Sequence, residues 1–384
     1  MQWLKAGLAL GLALGLSGCS TVSTWWAAEP EDEPSELVSF APSLQLKTQW
    51  RASAGQGNGK GWLSLEPGID DEHVYAADAQ GQVFAFDIQT GKAIWRTDLD
   101  VRIGGGVGGN QSSLFLGTLD GELLALNSAT GDLQWRVDVH TEILSSPAAN
   151  AREVMVQFID GTLIAYSAED GSLLWRYDSN LPVLTLRGTP APLVFNNATI
   201  ANFASGKMVA LRNDNGGVIW EQRLTLAQGR SELDRVVDAQ GRPAFMDNVL
   251  YSGTYQGHLT ALEAATGRPL WSKALSTARG VAVDDSAVYA VTDTGSVIAL
   301  DRYNGNSLWQ QDDLKFRRLG TPVVWGDVLA VADFEGYVHV MSRFDGRFLA
   351  RHRVDSAGVN GEMKVIDNVL YVLGNSGRLE ALTY

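Results

Sequence analysis

From about residue 44 onward, short runs in which apolar and polar residues alternate recur at a nearly constant spacing, each ended by glycine. Val74-Tyr75-Ala76, Gly81, Ala85, Thr90-Gly91 and Trp95 are matched at identical offsets by Leu114-Phe115-Leu116, Gly121, Ala125, Thr130-Gly131 and Trp135. The mid-repeat glycine returns at Gly81, Gly121, Gly161, Gly206, Gly257, Gly295, Gly336 and Gly377, in steps of 40, 40, 45, 51, 38, 41 and 41 residues. Alternation with period two is that of half-buried strands, and the glycines supply the positive φ that tight hairpins need. Three strands are visible per repeat, and the less regular run before each, such as 320–325 or 280–283, predicts a fourth. Four strands in ~40 residues match one propeller blade. The fold class is therefore all-β: an eight-bladed β-propeller of four-stranded antiparallel blades, a ring that leaves only short, protected edges.

A tryptophan stands at the end of most repeats: Trp50, Trp95, Trp135, Trp175, Trp220, Trp271 and Trp309. Each is expected to be a structural staple between neighbouring blades, burying ~150 to 250 Å². The seventh repeat breaks the rule with Ala350, and the eighth stops at Tyr384 before any Thr-Gly-Trp segment. Trp50 has no hairpin before it, so its run is expected to supply the missing outer strand of the last blade and close the ring. The Ala-x-x-x-x-Thr-Gly-x-x-x-Trp pattern, as in Ala125 to Trp135 and Ala261 to Trp271, resembles the PQQ-type propeller repeat over roughly residues 44–384. That resemblance is specific for fold and not for chemistry, since one fold hosts many functions.

Length alone, 384 residues, suggests two or three domains. The repeat replaces that count with a single propeller over 43–384. Glycine is abundant at 41 and proline sparse at 11, as many short strands joined by tight turns require. Thirty basic against 44 acidic residues leave a formal charge of −14, which argues against nucleic acid as a partner. Cys19 is the one cysteine, which excludes an intramolecular disulfide, a cysteine-zinc cluster and a CxxC redox pair.

Lys5, the apolar stretch 6–16 and Leu16-Ser17-Gly18-Cys19 have the layout of a secretory signal, with an apolar stretch too short to span a bilayer. Leu-Ser-Gly-Cys resembles the lipobox of bacterial lipoproteins, which implies a signal peptide over 1–18, acylation of Cys19, and sorting to the outer membrane because Ser20, not Asp, follows. Several acyl chains give stable anchoring where one would be marginal. Residues 19–42 are polar, acidic and interrupted by Pro30 and Pro34, the composition of a flexible tether. Trp25 and Trp26 fit either the lipid interface or an exposed pair in that tether.

Enzymatic chemistry finds little support in the residues. Quinoprotein dehydrogenases share the repeat, but they characteristically place adjacent cysteines near the quinone, and this chain has none to offer. The five histidines, His73, His140, His258, His339 and His352, lack metal-ligand spacing. The run 55–61 fails the phosphate-loop pattern at Ala54 and Gly61, and 104–109 lacks the strand-glycine-helix context, so both read as flexible connectors. No Gly-x-Ser-x-Gly elbow occurs, and Asp284-Asp285 and Asp312-Asp313 suit turns. No catalytic residue, metal or cofactor is expected.

Two consecutive Trp-to-Trp steps, of 45 and 51 residues, are longer than the 40 of the two before them. The excess falls in the connectors near 178–192 and 224–246, which join neighbouring blades and should emerge side by side on one face. In an extended run Leu184 and Leu186 face one way and Arg187 the other. The second connector carries Asp234, Arg235 and Asp238. Apolar residues beside arginine and carboxylates on a rim suit a protein-binding hot spot. An inner-strand core for the leucines and a local ion pair for Asp234 and Arg235 fit the residues equally well.

The lipobox, the tether, the eight repeats, Leu184-Thr185-Leu186-Arg187-Gly188 and Glu232-Leu233-Asp234-Arg235 together resemble the BamB family, lipoproteins of the outer-membrane β-barrel assembly machinery. The resemblance implies a non-enzymatic periplasmic scaffold that binds the POTRA region of BamA within the BAM complex. It implies that Leu184, Leu186, Arg187 and Asp238 lie at that surface, with unfolded outer-membrane proteins as further candidate partners. Gln240 departs from the pattern, standing where the family can carry a second carboxylate. The alternatives are a PQQ-dependent dehydrogenase and an envelope scaffold with another partner.

Overall fold

A computed structural model describes residues 33–384 apart from 59–62, 183, 187–188, 227–229 and 231–235. Within it the chain forms eight four-stranded antiparallel sheets set in a ring. Blade one is typical, with an inner strand Gly68–Ile69, then His73–Ala77, Gln82–Asp87 and an outer strand Ala93–Asp98. Blades two to seven repeat this order. The middle strands are buried almost throughout, while outer strands alternate exposed and half-buried positions. The predicted alternation thus holds at the rim, and the core lies between the middle strands of adjacent blades.

Blade eight joins the two ends of the chain. Lys364–Ile366, Val369–Leu373 and Arg378–Thr383 are completed by Lys47–Ser53, which runs antiparallel to the last strand with Trp50 opposite Ala381. The same pairing gives the repeat its Ala and Trp. Ala85 faces Trp95 and Ala125 faces Trp135, each just before a β-bulge. A small residue opposite the indole leaves room for the ring, and the bulge bends the outer strand towards the next blade.

Each outer-strand tryptophan clasps the following blade. Trp50 Nε1–H donates to Ile88 O at 2.9 Å, Trp95 to Ser128 O at 3.0 Å, Trp135 to Ala168 O at 3.1 Å and Trp220 to Ala264 O at 2.9 Å. Trp271 and Trp309 do the same to Arg302 O and Arg343 O, and Trp175 to Asn213 O. The indole lies over the glycine of the next blade's turn, Thr-Gly at Gly91, Gly131 and Gly267 and Asp-Gly or Asn-Gly at the others. Gly91 has φ of +66°, and a Cβ there would come within 2.5 Å of the Trp50 ring. The turn therefore demands glycine twice, for its backbone angle and for the indole's approach.

Ala350 now has a physical reason. The outer strand of blade eight is Lys47–Ser53, so no Thr-Gly turn joins it to Arg378–Thr383 for a blade-seven tryptophan to clasp. Trp325, on the inner strand Val323–Trp325, bridges that seam instead. It is fully buried, donates to Asn368 O at 2.8 Å and packs edge-on against Tyr384 at 4.8 Å.

The space beside Ala350 is taken by the segment before the ring-closing strand, which corrects the expected tether at its C-terminal end. Residues 35–46 do not hang free but lie along blade seven. Ser35 N–H donates to Lys315 O at 3.0 Å, Arg317 and Arg351 donate to the Ser35 and Val38 carbonyls, and Ser43 N–H donates to Leu349 O at 2.9 Å. Phe40 stacks on Phe348 at 5.4 Å, under the Arg351 guanidinium, and Leu44 and Leu46 pack into the cluster that contains Ala350. Four apolar residues, Leu37, Phe40, Leu44 and Leu46, pack onto the ring and outweigh the prolines and acids that suggested a free chain. The stretch 104–109 is also no loose connector throughout, since Gly108–Gly109 form the inner strand of blade two.

Trp175 is buried, and its removal leaves both an indole-sized void and an unpaired Asn213 carbonyl. Trp175→Ala is expected to lower the unfolding free energy by ~3 to 5 kcal/mol. Urea unfolding followed by fluorescence checks it, and an unchanged midpoint would contradict the clasp.

Candidate protein-binding face

The two long connectors run from Asp178 to Leu193, between blades three and four, and from Arg223 to Ala244, between blades four and five. They meet on the face where outer strands hand over to the next inner strand. The contact is specific. Leu186 N–H donates to Asp238 Oδ2 at 3.0 Å, Gln240 Nε2 donates to the same oxygen at 3.2 Å, and Gln240 also donates to Leu186 O. Both backbone groups of Leu186 are thereby held by the second connector.

The predicted site residues take different places in this arrangement. Leu184 is exposed at 42%, beside Leu181 at 48%. Leu186 is half-buried and stands between two grooves. One runs over blades three and four past Phe158 and Phe203, and the other over blades five and six past Tyr255, Arg279 and Phe316. The inner strand of blade four is Leu193–Val194, so neither leucine is an inner-strand core residue. Asp238 is a correction. Its side chain is buried, and it fastens the first connector from beneath instead of facing outward. Arg187, Asp234 and Arg235 lie outside the described residues, as do the signal peptide 1–18, Cys19, Trp25 and Trp26.

Gln240 does more than the sequence suggested. A carboxylate at that position would face Asp238 across the same pocket, whereas an amide donates to it and to the Leu186 carbonyl. Leu226, exposed at 60% on the second connector, is an apolar position that sequence reasoning missed. It follows the buried pair Leu224 and Thr225, where the outer-strand alternation has already ended. Among the described residues no cluster of three histidine, cysteine or acidic side chains is placed to hold a metal.

Burial pushes the Asp238 carboxyl up to about 6, although the Leu186 N–H and the Gln240 amide favour its charged form. The folded chain then binds this proton more tightly than the unfolded chain, whose aspartate titrates near ~4. Stability from this group is full below that value and is lost as pH rises through about 6. Asp238→Asn keeps an oxygen for the Leu186 N–H and cannot ionise. Wild type should therefore lose stability relative to this variant between pH ~4 and ~6.5, read from urea midpoints. Parallel pH profiles would sink the assignment.

Comparison with known proteins places this geometry in a family. A sequence profile described as "Outer membrane protein assembly factor BamB" matches residues 45–104 and 79–311. A Pseudomonas aeruginosa protein named outer membrane protein assembly factor BamB is 50% identical, covering 100% of this chain and 99% of that protein. A protein of the same name from Bordetella pertussis is 34% identical over 98% of this chain and 96% of its own length. The crystal structure of BamB from Moraxella catarrhalis superposes with a TM-score of 0.82 at 27% identity, covering 88% of this chain and all of that one. Quinohemoprotein alcohol dehydrogenase from Comamonas testosteroni, with a TM-score of 0.71 at 14% identity over 88% of this chain and 76% of that one, shares the fold alone. The full-length relatives carry the name of an assembly factor and not of an enzyme, and the chain belongs to the BamB family of outer membrane protein assembly factors.

Proposed function

We propose that the chain is a non-enzymatic scaffold of the β-barrel assembly machinery, held at the periplasmic side of the outer membrane by acylated Cys19. In this reading the ridge of the first connector grips the POTRA region of BamA. The observation that supports it most is the union of exposed Leu181 and Leu184 with a buried fastening, in which Asp238 and Gln240 hold Leu186 by its backbone. Exposed apolar side chains on a loop already held in shape lose little conformational entropy when a partner covers them. Arg187, Asp234 and Arg235 would supply the polar rim that such hot spots carry. The likeness to alcohol dehydrogenases supplies no rival, because the adjacent cysteines of that chemistry have no counterpart in a chain whose one cysteine is Cys19.

An affinity pull-down from detergent-solubilised envelopes tests the partner. Wild type should retain BamA, and Leu184→Ala/Arg187→Ala should weaken retention by ~30-fold, the loss of ~2 kcal/mol typical of a hot spot. Circular dichroism should be unchanged, since Leu184 already faces solvent. Equal retention by both proteins would move the interface elsewhere. Anchoring has its own test. Cys19→Ser should shift the protein from the membrane fraction to the soluble periplasm, and persistence in washed membranes at high salt would rule out the acyl anchor.

A further inference from the structure

The inner strands surround an axial funnel that opens on the same face as the two connectors. At its mouth is a cavity of about 230 Å³, walled by residues that include Glu66, Gln240, Arg242, Arg279, Thr321 and Glu362. In a chain of formal charge −14 this is a place where acids and arginines balance, two of each standing in the wall. Lys364 Nζ lies 2.7 Å from Glu66 and 3.7 Å from Glu362, while Ser146 and Thr321 donate hydroxyl hydrogen bonds to the same two carboxylates. One lysine and two hydroxyls thus serve both acids.

Arg242 and Arg279 are left over. Among the described residues neither guanidinium makes an ion pair or a hydrogen bond, although Arg242 lies in the field of Glu66 and Glu362 and Arg279 in that of Glu362 and Asp293. They stand on adjoining blades whose backbones touch. A Cβ on Gly241 would lie 2.2 Å from Arg279 O and 2.7 Å from Gly280 N, so only glycine lets the two arginine-bearing segments come so close. Across the mouth, Ser145 and Thr189 are linked through their hydroxyls at 3.3 Å. Arg279 keeps part of its side chain open to solvent, while the protein packed around it lowers its pKa and the nearby Glu362 and Asp293, neither in contact, offset this only in part. Arginine is the side chain suited to bidentate capture of planar oxyanions, and a concave setting strengthens such contacts.

We propose that the funnel mouth is a carboxylate-binding site in which Arg242 and Arg279 hold one carboxylate group, supplied by an acidic side chain of a bound polypeptide or by a small free carboxylic acid. Glu66 and Glu362 share the wall with the arginines and repel a second negative charge, so the site takes one carboxylate. Gln240 lines this mouth and also holds Leu186, so the site adjoins the ridge without depending on what the ridge binds.

Isothermal titration calorimetry on the full-length lipoprotein in detergent tests the site with succinate, the blocked peptide acetyl-Ala-Glu-Ala-amide and uncharged dimethyl succinate. Binding of the first or second, and not of the third, is expected, and it should weaken with added salt. Arg242→Gln and Arg279→Gln should each weaken it by about ten- to hundredfold, the loss of one charged hydrogen-bonding partner. Arg279→Lys, which keeps the charge on a side chain of similar length, should retain part of it. Binding by the peptide alone assigns the carboxylate to a polypeptide, and binding by succinate as well admits a free acid. The site is overturned if neither charged probe binds at millimolar concentration, or if both glutamine variants, folded by circular dichroism, bind as wild type does.

Discussion

The ring stands on one repeated contact, an indole laid across the glycine of the next blade's turn with its N–H on the carbonyl just before that turn. Seven tryptophans make it, from Trp50 through Trp309, and each joins elements about one repeat apart. Within a blade, backbone hydrogen bonds suffice. Among the described residues no strand ladder joins one blade to the next, so cohesion there comes from apolar burial, this directed hydrogen bond and scattered side-chain bonds such as Gln157 to Asn202 O and Asn202 to Gly241 O. The constraint is reciprocal, because the tryptophan needs a glycine beyond it and an alanine opposite it. Hence the three keep a fixed spacing in the first six repeats of this chain.

Where the contact is impossible, the structure reveals what it was for. The seam between blades seven and eight has no receiving turn, and Ala350 stands where the indole would be wasted. Two other devices close it. Trp325 bridges from the inner strand, and the segment 35–46 lies along the blade's outer edge, bound through Arg317 and Arg351 to its carbonyls. Those arginines belong to a buried network. Asp333 accepts from Arg317 and pairs with His339, while Arg351 Nε donates to His339 Nδ1 at 3.1 Å, which leaves the His339 proton on Nε2. The chain's entry into the ring is thus held against blade seven.

A rigid ring also explains why the distinctive chemistry sits in connectors. The middle strands are committed to packing on both faces, so variation collects where outer strands pass to the next blade. The extra residues after blades three and four build the Leu184 ridge, and the end of the second long connector meets the short connector from blade five to blade six to bring Arg242 and Arg279 together. Both features share one face and one residue, Gln240.

By itself the sequence determined the all-β class, the number of blades, the ring closure through Trp50 and the adjacency of the two long connectors. All four follow from local signals, namely period-two alternation, turn glycines and offsets counted along the chain. Tertiary structure alone decided how the side chains at the face are used. An extended reading puts Leu184 and Leu186 on one side, but the chain bends there, and backbone bonds to a second connector leave one leucine exposed and the other half-buried. Asp238 reads as a surface acid because burial depends on what folds over it, and that lies 52 residues away. The docking of 35–46 was hidden because its partners are nearly three hundred residues distant. Arg242 and Arg279 carried one faint local sign, a glycine beside each, but whether a guanidinium finds a carboxylate is settled by the ring that brings neighbouring blades together.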